Sequence, residues 1–272
     1  MQPWSDDDPS CDFYDSDTPT DGPNFDEQAR RHGLGEDIRY YRKVAAEVGE
    51  KPLLELCCGT GRIALPLLAD GHTVTAVDAS AGMLRQFRAK LDAVSEDERR
   101  RATLLQADVT DVSFREEFGL VFIAFNSLVV IPSLAAQLQV LRNAFAALMP
   151  GGVFAADIPN ALLVSRHASH RPALMYTRRH LTRGTRYSRY TFNDALDGDQ
   201  RQRAFGYYDE IRPDGTLVRH EWQRQLRLIF RVEFELMLQQ CGFEEINLWG
   251  DFSRGTFRSG DDKIVAHAQK PR

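Results

Sequence analysis

Apolar and polar positions follow two different rhythms along this chain. Between about residues 36 and 160, short apolar runs alternate with segments whose apolar residues recur every three or four positions. Residues 53–57 predict a buried strand, with a helix opening near Gly61, and residues 72–78 predict a second strand bounded by Gly71. The following segment sets Met83, Phe87, Leu91 and Val94 on one helical face. Residues 102–108 and 120–125 predict strands three and four. Ser133 can cap a helix whose stripe is Leu134, Leu138, Leu141, Phe145 and Leu148. Met149-Pro150-Gly151-Gly152 ends that helix, and residues 153–158 predict a fifth strand. Strands that alternate with helices need crossover connections, so the prediction is a doubly wound α/β fold with a mainly parallel sheet.

Beyond Asn160 the rhythm changes. Residues 183–192 and 202–211 predict exposed strands, and Pro213-Asp214-Gly215 forms a turn before a third at 217–228. This stretch is expected to be an antiparallel insertion over one end of the sheet. A helix at 232–241 is stopped by Gly242, and residues 243–252 and 262–269 supply the last two strands. The short connection between them suits an antiparallel pair closing the sheet edge. No internal repeat is visible.

Composition narrows the class. With 272 residues, 43% of them hydrophobic, the chain can bury one substantial core, with room for a small appendage. No apolar stretch is long enough to span a bilayer, and the acidic start lacks the basic-then-apolar order of a secretory signal. Cys11, Cys57, Cys58 and Cys241 show neither zinc spacing nor a disulfide framework. A reducing cytoplasm is the expected location, and no metal is expected. A net charge of -5 exerts no whole-protein pull on nucleic acid, so none is expected as a partner. The balance hides an asymmetry. Residues 1–27 hold nine acids and no basic residue, a stretch expected to be mobile in isolation, with Phe13 and Tyr14 available to dock. Residues 166–231 hold fourteen arginines and seven acids.

Candidate chemistry concentrates in Glu55-Leu56-Cys57-Cys58-Gly59-Thr60-Gly61-Arg62. Two glycines between a strand and a helix let the backbone turn sharply and approach a ligand closely. Asp78 ends the next strand, where a carboxylate can accept from both hydroxyls of a ribose. These residues alone also fit a dinucleotide fingerprint, or a tight structural turn. Three features separate the readings. Glu55 puts a carboxylate where a nicotinamide site shows only apolar residues. Asp108 closes strand three with an acid able to accept from an adenine amino group. Phe125-Asn126-Ser127 sets polar groups after strand four, facing a reacting centre.

Taken in order, residues 53–62, 74–83, 102–108, 125–128 and 148–152 resemble the successive motifs of class I S-adenosylmethionine-dependent methyltransferases. The resemblance covers roughly residues 36–160, and the pattern at 242–269 is similar too. It implies a seven-stranded Rossmann-like sheet whose last strand is antiparallel, with S-adenosylmethionine as cofactor. It places Cys57, Gly59 and Gly61 at the methionine part and Asp78 at the ribose, with Glu55 and Arg62 also expected to bind the cofactor. Ala79 and Met83 would line the adenosine pocket, Asp108 and Val109 would hold the adenine, and Phe125 and Asn126 would lie beside the bound cofactor. The chain is most similar to bacterial small-molecule methyltransferases with an antiparallel cap, amino-sugar N-methyltransferases among them. In those an aromatic amino-terminal segment folds over the cofactor, and Phe13-Tyr14-Asp15 resembles it. The implied organisation is an acidic segment or lid (1–35), a cofactor-binding core (36–160), a cap (161–231) and the end of the core sheet (232–272).

Two positions depart from the family pattern. Cys57 replaces the first glycine of the loop, and its Cβ predicts a negative φ there. Val130 stands where relatives often carry a histidine that can act as general base. Methyl transfer tolerates that absence, because the sulfonium supplies both an activated methyl and a good leaving group. The protein must mainly align the reactants and exclude water. An amine needs little else, whereas a hydroxyl or carbon nucleophile needs a base, for which His180, His220, Asp157 and Tyr14 are candidates. In the cap, Tyr187, Arg189 and Arg227, with Arg186, suggest a substrate carboxylate or phosphate. The competing expectation is that these arginines pair with the acidic amino-terminal segment. Two other functions fit parts of the pattern: a nicotinamide-dependent oxidoreductase, and an S-adenosylmethionine-binding cyclase or regulator that transfers no methyl group.

Overall fold

The computed structural model of the chain describes residues 8–20, 24–27, 29, 33–166 and 168–272. Five parallel strands, β1 (Leu53–Leu56), β2 (Val74–Asp78), β3 (Ala102–Gln106), β4 (Phe118–Ile123) and β5 (Leu148–Pro159), form most of the main sheet. Four more strands, β6 (Ser169–Arg179), β7 (Arg186–Asn193), β8 (Arg201–Ile211) and β9 (Leu217–Arg227), make a separate antiparallel sheet. The chain then returns as β10 (Glu244–Trp249) and β11 (Lys263–Gln269), with β11 antiparallel to both β5 and β10. The seven-stranded order is β10-β11-β5-β4-β1-β2-β3. The expected α/β architecture, mostly parallel sheet plus antiparallel insertion, is the one observed.

In chain order the helices are α1 (Ser10–Asp17), α2 (Glu36–Val48), α3 (Ala64–Ala69), α4 (Ala81–Leu91) and α5 (Glu96–Arg100). They continue as α6 (Ser127–Val130), α7 (Leu134–Ala147), α8 (Ala161–Arg166) and α9 (Arg231–Gln240). Strand alternation sorts the core. Leu54 and Leu56 face a cluster with Leu141, Phe154 and Phe234, whereas Leu53 faces Tyr41, Leu67 and Phe87 on the opposite side. Each face is therefore closed by helices, as a parallel sheet requires. None of the described helices is long and apolar enough to cross a membrane.

Three local expectations change. The cap has a fourth strand: β6, with Pro172 inside it, lies at the sheet edge, where a residue without an N–H is tolerated. Pro150-Gly151-Gly152 does not separate helix from strand. It forms a register shift within β5, which pairs with Phe118 at Leu148 and with Leu120 at Val153. In α7 the expected stripe begins one turn later. Leu134 is exposed, while Gln137 is fully buried and its amide donates to the carbonyls of Leu128, Ile131 and Arg227. A polar side chain occupies the core here because three backbone acceptors satisfy it.

Candidate cofactor and methyl-transfer site

Strand order reverses at β1, which lies between β2 and β4, and this opens a crevice at the carboxyl ends of the strands. The glycine loop leaves β1 into that crevice. Gly59 and Gly61 have φ of +56° and +80°. At Gly61 a Cβ would fall 2.3 Å from the Phe87 ring, so only glycine lets α4 pack this closely. Cys57 overturns its expectation, for its φ is 59°. The turn out of β1 requires left-handed backbone whichever residue occupies it, and a non-glycine side chain there costs about 1–2 kcal/mol. Phe125 and Asn126, at the end of β4, also have positive φ, 54° and 61°. Backbone strain thus clusters on both sides of the crevice, as it does at functional sites.

Acidic groups line the crevice. Asp78 accepts from the Gly59 N–H at 2.8 Å and the Ser80 N–H at 2.9 Å. Burial raises its pKa despite these bonds. Glu55 is buried, its Oε2 has no hydrogen-bond partner, and burial pushes its carboxyl well up, with the Arg62 charge opposing and the Asp78 charge adding. Asp157, at the end of β5, accepts from the Tyr41 hydroxyl at 2.7 Å and the Phe125 N–H at 2.9 Å. It thereby pins the strained turn after β4. Arg62 grips Asp37 of α2 through two N–H groups and lies over the Phe125 ring at 4.7 Å. Burial pulls its pKa down, but the Asp37 carboxylate outweighs that and holds it up.

The residues expected to enclose an adenosine lie on two further loops. Met83 is buried on α4, whose amino terminus is capped by Ser80, and Ala79 is exposed beside it. Asp108 is exposed, with its Oδ1 holding the Thr110 N–H at 2.8 Å. Val109 is buried, and its carbonyl accepts from Asn143 of α7 at 3.0 Å. Helix α1 closes the other side. The Tyr14 ring lies 3.8 Å from the Cβ position of Gly59 and stands edge-on to Phe125 at 6.5 Å. Burial raises its phenol pKa.

Many arginines of the cap are matched within the chain. Arg189 pairs with Asp17 at 3.2 Å and donates to the Tyr176 hydroxyl. Tyr187 donates to the same Asp17. Arg227 donates to Gln137 at 2.8 Å and pairs with Glu233, while Arg186 is exposed on β7. Arg178 pairs with Asp26 and Arg224 with Asp8. The acidic amino-terminal segment is thus the partner of several cap arginines. A guanidinium already matched by a buried carboxylate has little left to offer an anionic substrate.

Sequence reasoning passed over Asp37, Tyr41, Thr60 and Asp17. Thr60 sits inside the glycine loop with no role assigned to it there, whereas the others lie on segments without motif character and reach the crevice or the cap only through tertiary packing. The acid run at 1–27 opposite the arginine run at 166–231 was the one available signal, and it pointed to the pairing but not to Asp17.

A methyltransferase domain model matches residues 53–152. Over 231 residues the chain is 22% identical to the putative methyltransferase YqeM of Bacillus subtilis, covering 84% of this chain and 88% of that one. The CcbJ methyltransferase of Streptomyces caelestis superposes with a TM-score of 0.74 at 23% identity, covering 98% of both chains. A sugar N-methyltransferase, KedS8 of a Streptoalloteichus species, superposes with a TM-score of 0.68 at 18% identity, covering 87% of each. Residues 53–152 thus match a methyltransferase domain, and the whole chain shares the fold of the methyltransferases on which it superposes.

Proposed function

We propose that the chain methylates a nitrogen of an amine-bearing small molecule by direct in-line displacement. The observation that carries this reading is that His220 and Asp157 are engaged by neighbours, Tyr14 stays protonated, and His180, although its Nε2 has no partner, is packed in the cap against Phe13. His180 is buried against Phe13 at 5.1 Å, and its pKa is lowered, first by burial and then by Arg183. His220 bonds Glu210 at 3.0 Å. Asp157 holds Tyr41 and Phe125, and the raised pKa of Tyr14 keeps its phenol protonated near neutrality. An amine brings its own lone pair and needs none of them. The description of KedS8 as a sugar N-methyltransferase supports the same substrate class.

The crevice residues fit the cofactor. The partnerless Oε2 of buried Glu55 is an acceptor suited to an ammonium group, and the acids around it favour a cation. Gly59 and Gly61 leave room for close backbone approach, Cys57 and Arg62 border the same loop, and Asp78 is set to accept from a ribose. Met83, Ala79, Asp108 and Val109 would enclose the adenosine, and Phe125, Asn126 and Tyr14 the reacting end. When bound, the cofactor supplies a methyl group already activated by positive sulfur. The chain's part is to hold the acceptor in line, with α1 excluding water above the crevice.

The test incubates the protein with S-adenosylmethionine and paired acceptors, amino sugars and their hydroxyl counterparts, read by product mass. Methylation of the amine alone is expected, with a rate that rises with pH through the acceptor's own pKa. Methylation of a hydroxyl with a bell-shaped pH profile would overturn the nitrogen assignment. Cofactor binding without turnover on any acceptor would favour the regulator or cyclase reading.

A further inference from the structure

Helix α1 sits between two bodies and is held very differently by each. On the cap side, Phe13 stacks on Tyr208 at 4.2 Å and meets Tyr187 edge-on at 4.9 Å. One turn further, buried Asp17 accepts hydrogen bonds from the hydroxyls of Tyr187 at 2.8 Å and Tyr208 at 2.7 Å and pairs with Arg189. A carboxylate shared by two phenols and a guanidinium, away from water, makes a strong and specific clamp.

On the core side, among the described residues, the charged contacts are wetter. Asp15 accepts from the Thr60 hydroxyl at 2.6 Å and pairs with Lys90 at 2.7 Å, both charged side chains being about one-third exposed at most (27% and 33%). Gln86 donates to the Cys11 carbonyl at 2.8 Å. A partly exposed ion pair of this kind holds less strongly than a buried one. The root of the antiparallel sheet, by contrast, stays tied to the core, because Arg227 and Gln137 exchange hydrogen bonds there. Tyr14 lies over Gly59, its ring 3.8 Å from the Cβ position there, so α1 covers one side of the glycine loop.

We propose that α1 and the antiparallel sheet move as one lid about the Arg227 root, and that the cofactor gains access when this lid parts from the core at Asp15. The lid rests on the assignment of the cofactor to the glycine loop, and it adds that the amino-terminal segment does not open by itself. The surface that separates is the α1–core contact, and the α1–sheet contact travels intact.

The Cys11 Sγ lies 4.0 Å from the Ser80 Oγ, which offers a direct test. Ser80→Cys, once oxidised, staples α1 to the start of α4. With the disulfide confirmed by mass, bound S-adenosylmethionine should stop exchanging, and reduction should restore exchange. Stapled protein that exchanges cofactor as fast as its reduced form would overturn the proposal. Hydrogen exchange on cofactor-free protein supplies a second test that needs no disulfide. Asp15→Asn should leave α1 as protected as β7 and β8, whereas Asp17→Asn should strip protection from α1. If Asp15→Asn alone strips it, the helix belongs to the core and there is no common lid. Reduced protein that fails to bind S-adenosylmethionine would instead sink the cofactor assignment, and the exchange experiment would still judge the lid.

Discussion

The crevice at β1 and the arginine-rich cap are both dense in charge, yet they leave different residues of chemistry behind. In the cap, Arg178, Arg189, Arg224 and Arg227 each meet a carboxylate of the same chain, and the buried atoms left without a partner there, Trp222 Nε1, Arg189 Nε, His180 Nε2 and Gln202 Oε1 among them, include no carboxylate oxygen. In the crevice, acids outnumber bases, Glu55 keeps an unmatched oxygen, and three non-glycine residues hold left-handed backbone. Charge density alone does not mark a site. Unmatched charge on strained backbone does, because the fold tolerates both costs only where something else compensates.

The largest effect on ligand binding is expected at Asp78. Asp78→Ala should weaken S-adenosylmethionine binding by about 1.5–3 kcal/mol, the worth of hydrogen bonds to a charged group. Calorimetry on the folded variant checks this, and unchanged affinity would leave the crevice no more functional than the cap.

Glu55→Gln should separate stability from binding. The folded-state pKa of Glu55 is raised, so the native state holds its proton more tightly than the unfolded state, and its contribution to stability falls as pH climbs above the usual carboxylate value. The glutamine variant should therefore gain about 1–2 kcal/mol over wild type at pH 8, as a buried charge is removed, with the gain shrinking towards pH 5. Cofactor affinity should drop in the same variant. Thermal unfolding at the two pH values, together with calorimetry, reads both effects. Equal stability at both pH values would mean that Glu55 is satisfied after all.

The smallest effect concerns Cys57. Cys57→Gly removes the left-handed strain but loosens the unfolded chain, so the net gain should stay within about 1 kcal/mol. Cys57→Ala, which keeps the Cβ, should show none of it. Chemical denaturation of the pair is the measurement, and a destabilised glycine variant would show that the thiol packs rather than merely endures its backbone.

Much of this was legible in the chain itself. The parallel core follows from apolar runs at β1, β2, β4 and β5 separated by helical stripes, since such runs can be buried only between two layers of helices. The glycine loop and Asp78 follow from spacing, because strand, turn and helix are local and the two strand ends are neighbours in the sheet. Cys57 was misjudged for the same local reason: a side chain's preference for negative φ was weighed without the turn that overrides it. The edge strand β6 escaped because its proline and paired arginines blur alternation, which an edge tolerates.

What only tertiary structure decided is the assignment of partners. The sequence determined that an acidic run and a basic run exist, and that carboxylates stand at three strand ends. It could not determine that Asp17 would gather Tyr187, Tyr208 and Arg189 while Glu55 kept an oxygen unpaired. Periodicity and turn chemistry act over a few residues and are written locally. Neutralisation depends on which side chains converge across more than a hundred residues of chain, as Asp17 and Tyr208 do across 191. Whether a charge is spent inside the fold or left for a ligand is therefore a property of the folded molecule alone.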